Sequence, residues 1–412
     1  MNKGKNKLRL WDRNFTIITL GTIISAIGGV ALNFALNIVI YNETNSTILT
    51  GIYSAITAIP QIILPVFAAP YIDRLPRKKL IVLLDYLLGI IYISFGIYLF
   101  TISFNYYAYV VLGMLSSIIG SVYGLTYNSL FPDLIPEGCA QKGYSVSVLI
   151  YPSIAAVFTP IAAFVYQRWG IEIIFVIEGI LLFIAATFEV FIKYKERNRV
   201  NRSFNFKEYV NDIKEGFVYL RKEKGIFFIY LYMTFASFAS EGISLLLIPF
   251  FQTHAIYTTT NYSLLLSAET FGRMIGGLLH YMFKIPENKR YTIASKVYII
   301  YEILDGVLMF LAYPLMIVIR FILGFLGVNS ANIRESSVQN YIPREKRARV
   351  NSFFQIMAFG GILSAKLIAG ALGEFMNYKF GGLIFGTVGF IAAVLCIFKH
   401  DKEIKVIYNK NL

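Results

Sequence analysis

Twelve apolar stretches, each about 20 residues or longer, follow one another along this chain: 15–40, 48–70, 78–101, 106–131, 143–166, 171–193, 226–250, 260–283, 290–312, 314–336, 349–373 and 379–399. As α-helix, about 20 residues span roughly 30 Å, the thickness of the hydrocarbon core of a bilayer. The gaps between stretches are short and polar, with one exception, 194–225. Within that gap Phe206, Tyr209, Val210, Ile213, Phe217 and Leu220 recur at helical spacing. The spacing predicts an amphipathic helix lying on the cytoplasmic membrane face, with a solvated linker as the alternative. The pattern therefore predicts an all-α integral membrane protein of twelve transmembrane helices in two six-helix bundles. Residues 1–193 form the first, 194–225 the linker, and 226–412 the second bundle with a short tail.

Charge orients this arrangement. Of the 38 Lys and Arg residues, 31 fall in the N-terminal segment, the C-terminal tail and alternate gaps, whereas only Arg168 and Lys379 occupy the opposite gaps. Positively charged loops stay in the cytoplasm, so the chain is predicted to cross the cytoplasmic membrane many times with both termini inside. Composition agrees: 57% hydrophobic and 15% charged residues, with a mean hydropathy of +0.61, leave a soluble fold too little polar surface to cover itself. A net charge of +14 would suggest a nucleic-acid partner in a soluble protein. Here the bases sit beside helix ends, where they meet anionic lipid headgroups, and no nucleic acid is expected.

Other chemistry is sparse. Cys139 and Cys396 both fall on the predicted cytoplasmic side, so no disulfide is expected. His254, His280 and His400 lie in separate segments without metal-ligand spacing, and no metal or cofactor is predicted. No phosphate-binding glycine loop is present, so ATP is not the direct driver. The basic N-terminus leads into about 26 apolar residues without a small-residue cleavage site, which reads as a retained first helix. The Asn, Lys, Ile and Tyr bias points to an AT-rich bacterial genome.

The two halves are related. Ile135-Pro136 aligns without gaps to Ile342-Pro343 at an offset of 207, which also pairs Asn128 with Glu335, Ser145 with Ser352 and Ala162 with Ala369. A parallel repeat of six-helix bundles places a substrate site near mid-membrane between the halves. Chance likeness between apolar helices that open on proline is the competing explanation.

The gap after the second stretch reads Ala69-Pro-Tyr-Ile-Asp73-Arg74-Leu-Pro76-Arg77-Lys78-Lys79. It resembles the loop signature of the major facilitator superfamily, Gly-x-x-x-Asp-Arg-x-Gly-Arg/Lys-Arg/Lys. Asp73, Arg74, Arg77 and Lys78 fall on its charged positions, and Ala69 and Pro76 replace its glycines. A second family signature, from helix five of antiporters, is similar to Ala155-Ala-Val-Phe-Thr159-Pro160-Ile-Ala-Ala163-Phe164. Pro160 is in register there, and Thr159 and Ala163 stand as small residues in the places of glycines. The resemblance covers essentially the whole chain and looks most like the drug and macrolide efflux-type branch.

That resemblance implies a cytoplasmic gate. Asp73 would complement the dipole at the start of the eleventh helix, near Pro343 to Asn351. Arg77 would pair with Asp133, holding the cytoplasmic side closed until inward opening. Plain positive-inside topology, with Asp73 a solvated loop acid, explains the same residues without a gate.

In the family's fold, helices 1, 2, 4, 5, 7, 8, 10 and 11 line the cavity. On that assignment the first half offers only neutral groups at depth, Asn33, Asn37 and Gln61, as substrate contacts. The second half offers Glu241, Glu269, Arg273, Arg320 and Lys366, so ionic chemistry is expected there. Glu269 and Arg273, four apart with the acid first, suit an ion pair, either structural or contacting substrate. Glu241 either pairs with Lys366 or stands alone as a proton carrier, a role also open to Glu269. Asp85, Glu178, Glu189, Lys296, Glu302 and Asp305 fall on outer helices and read as packing or interfacial groups, Glu302 and Asp305 sharing a face with Lys296.

The resulting expectation is a monomeric secondary transporter, not an enzyme, exchanging protons for an amphipathic compound or drug by alternating access. Import of a sugar or organic anion, held by Arg273, Arg320 and Lys366, is the first alternative. A non-transporting membrane scaffold is the second.

Overall fold

Lipid offers no water to an amide, so an apolar segment crossing it must satisfy its backbone internally, as helix. The structure, a computed structural model, describes residues 10–72, 75–195, 206–283 and 285–410. Its helices are α1 (Arg13–Thr44), α2 (Thr47–Ala58), α3 (Pro60–Ile72), α4 (Arg77–Leu99), α5 (Tyr106–Leu134), α6 (Ala140–Val190) and α7 (Phe206–Lys222). They continue as α8 (Lys224–Thr253), α9 (Thr259–Met282), α10 (Arg290–Val307), α11 (Tyr313–Tyr341), α12 (Arg344–Phe375), α13 (Tyr378–Ala392) and α14 (Asp401–Tyr408).

Nine helical stretches among the described residues are long and apolar enough to cross a membrane. They differ from the expected twelve for local reasons. The second stretch still counts as one span, Thr47–Pro65, although it divides into α2 and α3 where Pro60 has no N–H to continue the ladder. The fifth and sixth follow each other without a loop inside α6 and count as one span, although they are two helices, 140–169 and 171–190, broken at Gly170 (φ 81°), a conformation open to glycine and costly for other residues. The α9 and α10 stretches fall short on apolarity because they carry Glu269 and Arg273, and Lys296, Glu302 and Asp305. Whole side chains such as Leu83, Val148, Phe164 and Leu278 stand more than half exposed, which suits a lipid face and not water.

The chain divides into two compact units, Met1–Glu43 with Ile56–Phe204, and Thr44–Ala55 with Asn205–Leu412. In the first, α4 lies along α6 and also packs on α5, which receives α3. Its interior includes Phe15, Ile18, Ile81, Leu130, Phe131, Leu134 and Ile192. In the second, α9 packs on α11, and α8 on both α12 and α13.

The linker helix α7 is helical as its spacing predicts, and the stripe residues whose side chains are described, Phe217 and Leu220, meet protein. Glu215 pairs with Arg349 on α12, the Phe217 and Phe353 rings lie 5.3 Å apart, and Leu220 is fully buried. Lys346 Nζ sits 4.6 Å from the centre of the Tyr219 ring. The side chains of Phe206, Tyr209, Val210 and Ile213 lie outside those described.

The tail after 399 is also more than a tail. In α14, Ile404, Ile407 and Tyr408 are buried, the Tyr408 and Tyr298 hydroxyls are 2.7 Å apart, and Asn409 Oδ1 accepts from Tyr291 N at 3.1 Å. Tyr408→Phe should therefore lower stability in detergent by about 1 kcal/mol, the worth of a buried hydrogen bond. An unfolding temperature equal to that of the wild type would show that the hydroxyl pair contributes nothing.

Candidate functional site

Close helix packing assembles the charged site of the second unit. Gly324 on α11 faces the backbone of α9 so tightly that a Cβ there would stand 2.0 Å from the Glu269 carbonyl oxygen. One turn before Gly324, Arg320 enters the same interface and is 2% exposed. Its Nη1 lies 3.2 Å from Glu269 Oε2 and 3.2 Å from Asp305 Oδ1 on α10. Arg273 Nη2 donates to the other oxygen of Glu269 at 2.6 Å. Two acids and two bases thus cancel, as burial in a medium of low dielectric demands. The balance is electrostatic more than geometric, since Arg320 Nε and Asp305 Oδ1 lack aligned hydrogen bonds.

A second pair lies on neighbouring helices. Lys366 Nζ on α12 is 3.0 Å from Glu241 Oε2 on α8, with side chains 20% and 38% exposed. Arg273, Arg320 and Lys366 therefore each face a carboxylate, and so do both candidate proton carriers face a base. Asp305 is the member that sequence reasoning passed over, because α10 counts as an outer helix. Its near-complete burial shows that it faces inward, and Lys296, expected on its face and that of Glu302, is exposed instead. Glu302 is buried and accepts from Tyr232 Oη at 3.1 Å.

The neutral candidates of the first unit are less converged. Asn33 Nδ2 donates to Gly29 O at 2.8 Å, Asn37 Nδ2 to Asn33 O at 3.4 Å, and Gln61 is exposed. Thr159 bonds back to Ala155 O at 2.6 Å, Ala163 is fully buried, and α6 continues through Pro160. Asp85, Glu178 and Glu189 are all buried in the first unit, drawn inward from the outer helices.

At the basic end of the first unit, Arg77 Nη1 donates to Ser129 O at 2.9 Å and to Asp133 Oδ2 at 3.3 Å. Tyr194 Oη donates to the same Asp133 oxygen at 2.8 Å, and Lys78 Nζ to Val190 O at 2.7 Å. Asp73 and Arg74 lie outside the described residues. An open cleft of about 610 Å³ in the second unit is lined by residues including Phe250, His254, Glu374 and Lys379, and by none of the paired charges above.

The sequence matches the family model for the Major Facilitator Superfamily over residues 18–301 and 290–409. Macrolide efflux protein A of Streptococcus pyogenes is 24% identical over 400 residues, covering 95% of this chain and 96% of that protein. A protein of the same name from Enterococcus faecalis is 23% identical over 283 residues, covering 66% of this chain and 86% of the relative. Among solved structures, the nucleoside transporter NupG superposes with a TM-score of 0.71 at 14% identity, covering 93% of this chain and 98% of its own. A bacterial homologue of the iron transporter ferroportin, inward-facing, gives 0.68 at 14% identity, covering 97% and 99%. Matched from its first membrane helix to its last and sharing the fold of solved transporters, the chain is a multi-pass membrane transporter and belongs to the major facilitator superfamily.

Proposed function

We propose that this transporter exports amphipathic, uncharged or cationic compounds such as macrolides, in exchange for protons. The full-length likeness to macrolide efflux proteins carries this reading. The ion pairs support its choice of substrate charge. With Arg273, Arg320 and Lys366 each held by a carboxylate, an organic anion would have to displace an internal partner to bind. The bundles at 1–193 and 226–412, joined by 194–225, are the bodies that alternate access, with both termini cytoplasmic. Asn33, Asn37 and Gln61 are the polar contacts offered by the first bundle.

The test is accumulation of a labelled macrolide by susceptible cells. Expression of the chain should lower steady-state accumulation, and a protonophore should restore it. Equal accumulation with and without the protein would refute export.

In this account Arg77, Lys78 and Asp133, with the loop residues Asp73 and Arg74, hold the cytoplasmic side closed. Arg77 and Asp133 are each 18% exposed, so their pair is worth roughly 1 kcal/mol, or about fivefold in the gate equilibrium. Arg77→Met and Asp133→Asn should each increase thiol labelling of the cytoplasmic cavity by about that factor. The double variant should add nothing further. Additive effects would mean that the two residues act on separate steps.

A further inference from the structure

Asp85 on α4, with Glu178 and Glu189 on α6, is a set of acids that the paired site does not use. They are 4%, 4% and 0% exposed. Asp85 Oδ2, Glu178 Oε2 and Glu189 Oε2 are buried without a hydrogen-bond partner, and among the described residues none of the three acids forms an ion pair. Asp85 interacts electrostatically with both glutamates. Glu178 and Glu189 stand three turns apart on one helix, roughly 16 Å along its axis, so the acids form a row and not a knot.

The surroundings are hydroxyls and glycines. Tyr123 Oη on α5 donates to Glu189 Oε1 at 3.2 Å. The Tyr123 ring stacks on Tyr127 at 6.0 Å, and the Tyr127 hydroxyl lies 3.0 Å from Thr22 Oγ1 on α1. On α1, Gly28 leaves the space filled by the Glu178 carboxyl, and Gly21 lies against Glu189. Between Arg13 and Glu43, α1 contributes no Asp, Glu, Lys, Arg or His. The titratable groups facing the row are Tyr123 and Tyr127 on α5, and Tyr92 and Tyr151 on the acids' own helices α4 and α6. Of the bases close in sequence, Lys78 donates to Val190 O and Arg77 to Ser129 O and Asp133, whereas Lys79 and Lys193 are exposed.

A buried carboxylate without a cation carries several kcal/mol of desolvation, and orphan acceptor oxygens add to it. Such groups within a membrane bind something positive. A metal ion needs converging ligands, and among the described residues no group of three or more His, Cys, Asp or Glu could hold one. A proton needs one oxygen at a time, which a row supplies.

We propose that Asp85, Glu178 and Glu189 are the proton-carrying groups of the transport cycle, with the Tyr123 hydroxyl the donor that meets Glu189. This rests on proton-coupled export and places the coupling in the first bundle instead of at Glu241 or Glu269. In loading, a hydronium ion passes its proton to a carboxylate oxygen, forming the O–H bond of a carboxylic acid and leaving water. In unloading that O–H bond breaks and the proton returns to water on the other side. No electrons are transferred.

Infrared spectroscopy of the purified full-length chain in lipid, titrated from acidic to alkaline buffer, reads the proton directly. The wild type should show a carboxylic-acid C=O band that titrates. It should weaken in each of Asp85→Asn, Glu178→Gln and Glu189→Gln and most in the triple variant, where the buried Glu302 is left to contribute. Gradient-driven transport should fall by roughly 100-fold in Glu189→Gln, the scale of a lost proton-transfer group. If the triple variant does not fold, carbodiimide labelling of the wild type decides. Adducts on Glu178 or Glu189 that diminish at alkaline pH support the assignment, and adducts confined to Glu241 or Glu269 overturn it. A band left at wild-type strength in the triple variant of a coupled transporter also overturns it, as does a band displaced by sodium at fixed pH, which would identify a metal cation as the ligand. A wild type whose band titrates but whose transport ignores the gradient would instead refute proton-coupled export.

Discussion

Arg320→Met should yield a protein that scarcely survives extraction from the membrane. The guanidinium answers two carboxylates, Asp305 and Glu269, of which Asp305 is 2% exposed with no other base within ion-pair distance among the described residues. Removing one partner from a buried ionic group leaves the other charge uncompensated, at about 3–5 kcal/mol. Arg320→Lys should recover only part of that, because the compact ammonium on a different stem must place its nitrogen where Nη1 now lies between both carboxylates. Arg320→Met with Asp305→Asn should be more stable than Arg320→Met alone, since it removes the stranded acid. Unfolding temperatures of the three variants in one detergent check the ordering. If Asp305→Asn gives no recovery, the contact with Asp305 is not what makes Arg320 necessary.

Gly324→Val should be nearly as damaging without touching a charge. The new Cβ would overlap the Glu269 carbonyl oxygen and stand 2.9 Å from its carbon and 3.1 Å from Arg273 N, so backbone must retreat from backbone. Overpacking in a close-packed interface costs about 1–3 kcal/mol where side chains can yield, and here the obstacle is a helix. Separation of α9 from α11 would also draw Glu269 from Arg320, so the steric and ionic losses couple. Gly324→Ala, with one methyl, should be milder but in the same direction. Combined with Arg320→Met, Gly324→Val should destabilise by less than the sum of the two, and full additivity would mean that the glycine does not set the ion-pair distance.

Much of the fold is legible because lipid simplifies the code. Stretches expected at 78–101 and 106–131 appear as Arg77–Leu99 and Tyr106–Leu134, their limits marked by Pro76 and by the Asn105 cap, which accepts from Ala108 N at 3.2 Å. The i, i+4 spacing of Glu269 and Arg273 is enough to read their contact. What the pattern does not carry is azimuth. A helix apolar nearly all round has no polar side to set its rotation, so α4 and α6 give no sign that Asp85, Glu178 and Glu189 turn inward, and the placing of α10 outside the cavity hides Asp305. Nor does spacing show which helices cross at glycine distance, and that crossing alone brings Arg320 to Glu269. The docking of α14 is hidden for another reason. Eight residues with charges at Asp401, Lys402, Glu403 and Lys405 read as a solvated tail, and only the tertiary partners Tyr298 and Tyr291 reveal the buried side of Ile404, Ile407 and Tyr408.

The claim on which the functional account depends is exchange of substrate for protons. Purified protein in liposomes carrying a pH-sensitive dye in the lumen tests it. With the lumen acidified, a labelled amphipathic compound should accumulate inside beyond the level of protein-free vesicles, its addition should make the lumen more alkaline, and a protonophore should abolish the excess. Accumulation in vesicles with an alkaline lumen, with the dye reporting protons entering alongside the compound, would contradict the account.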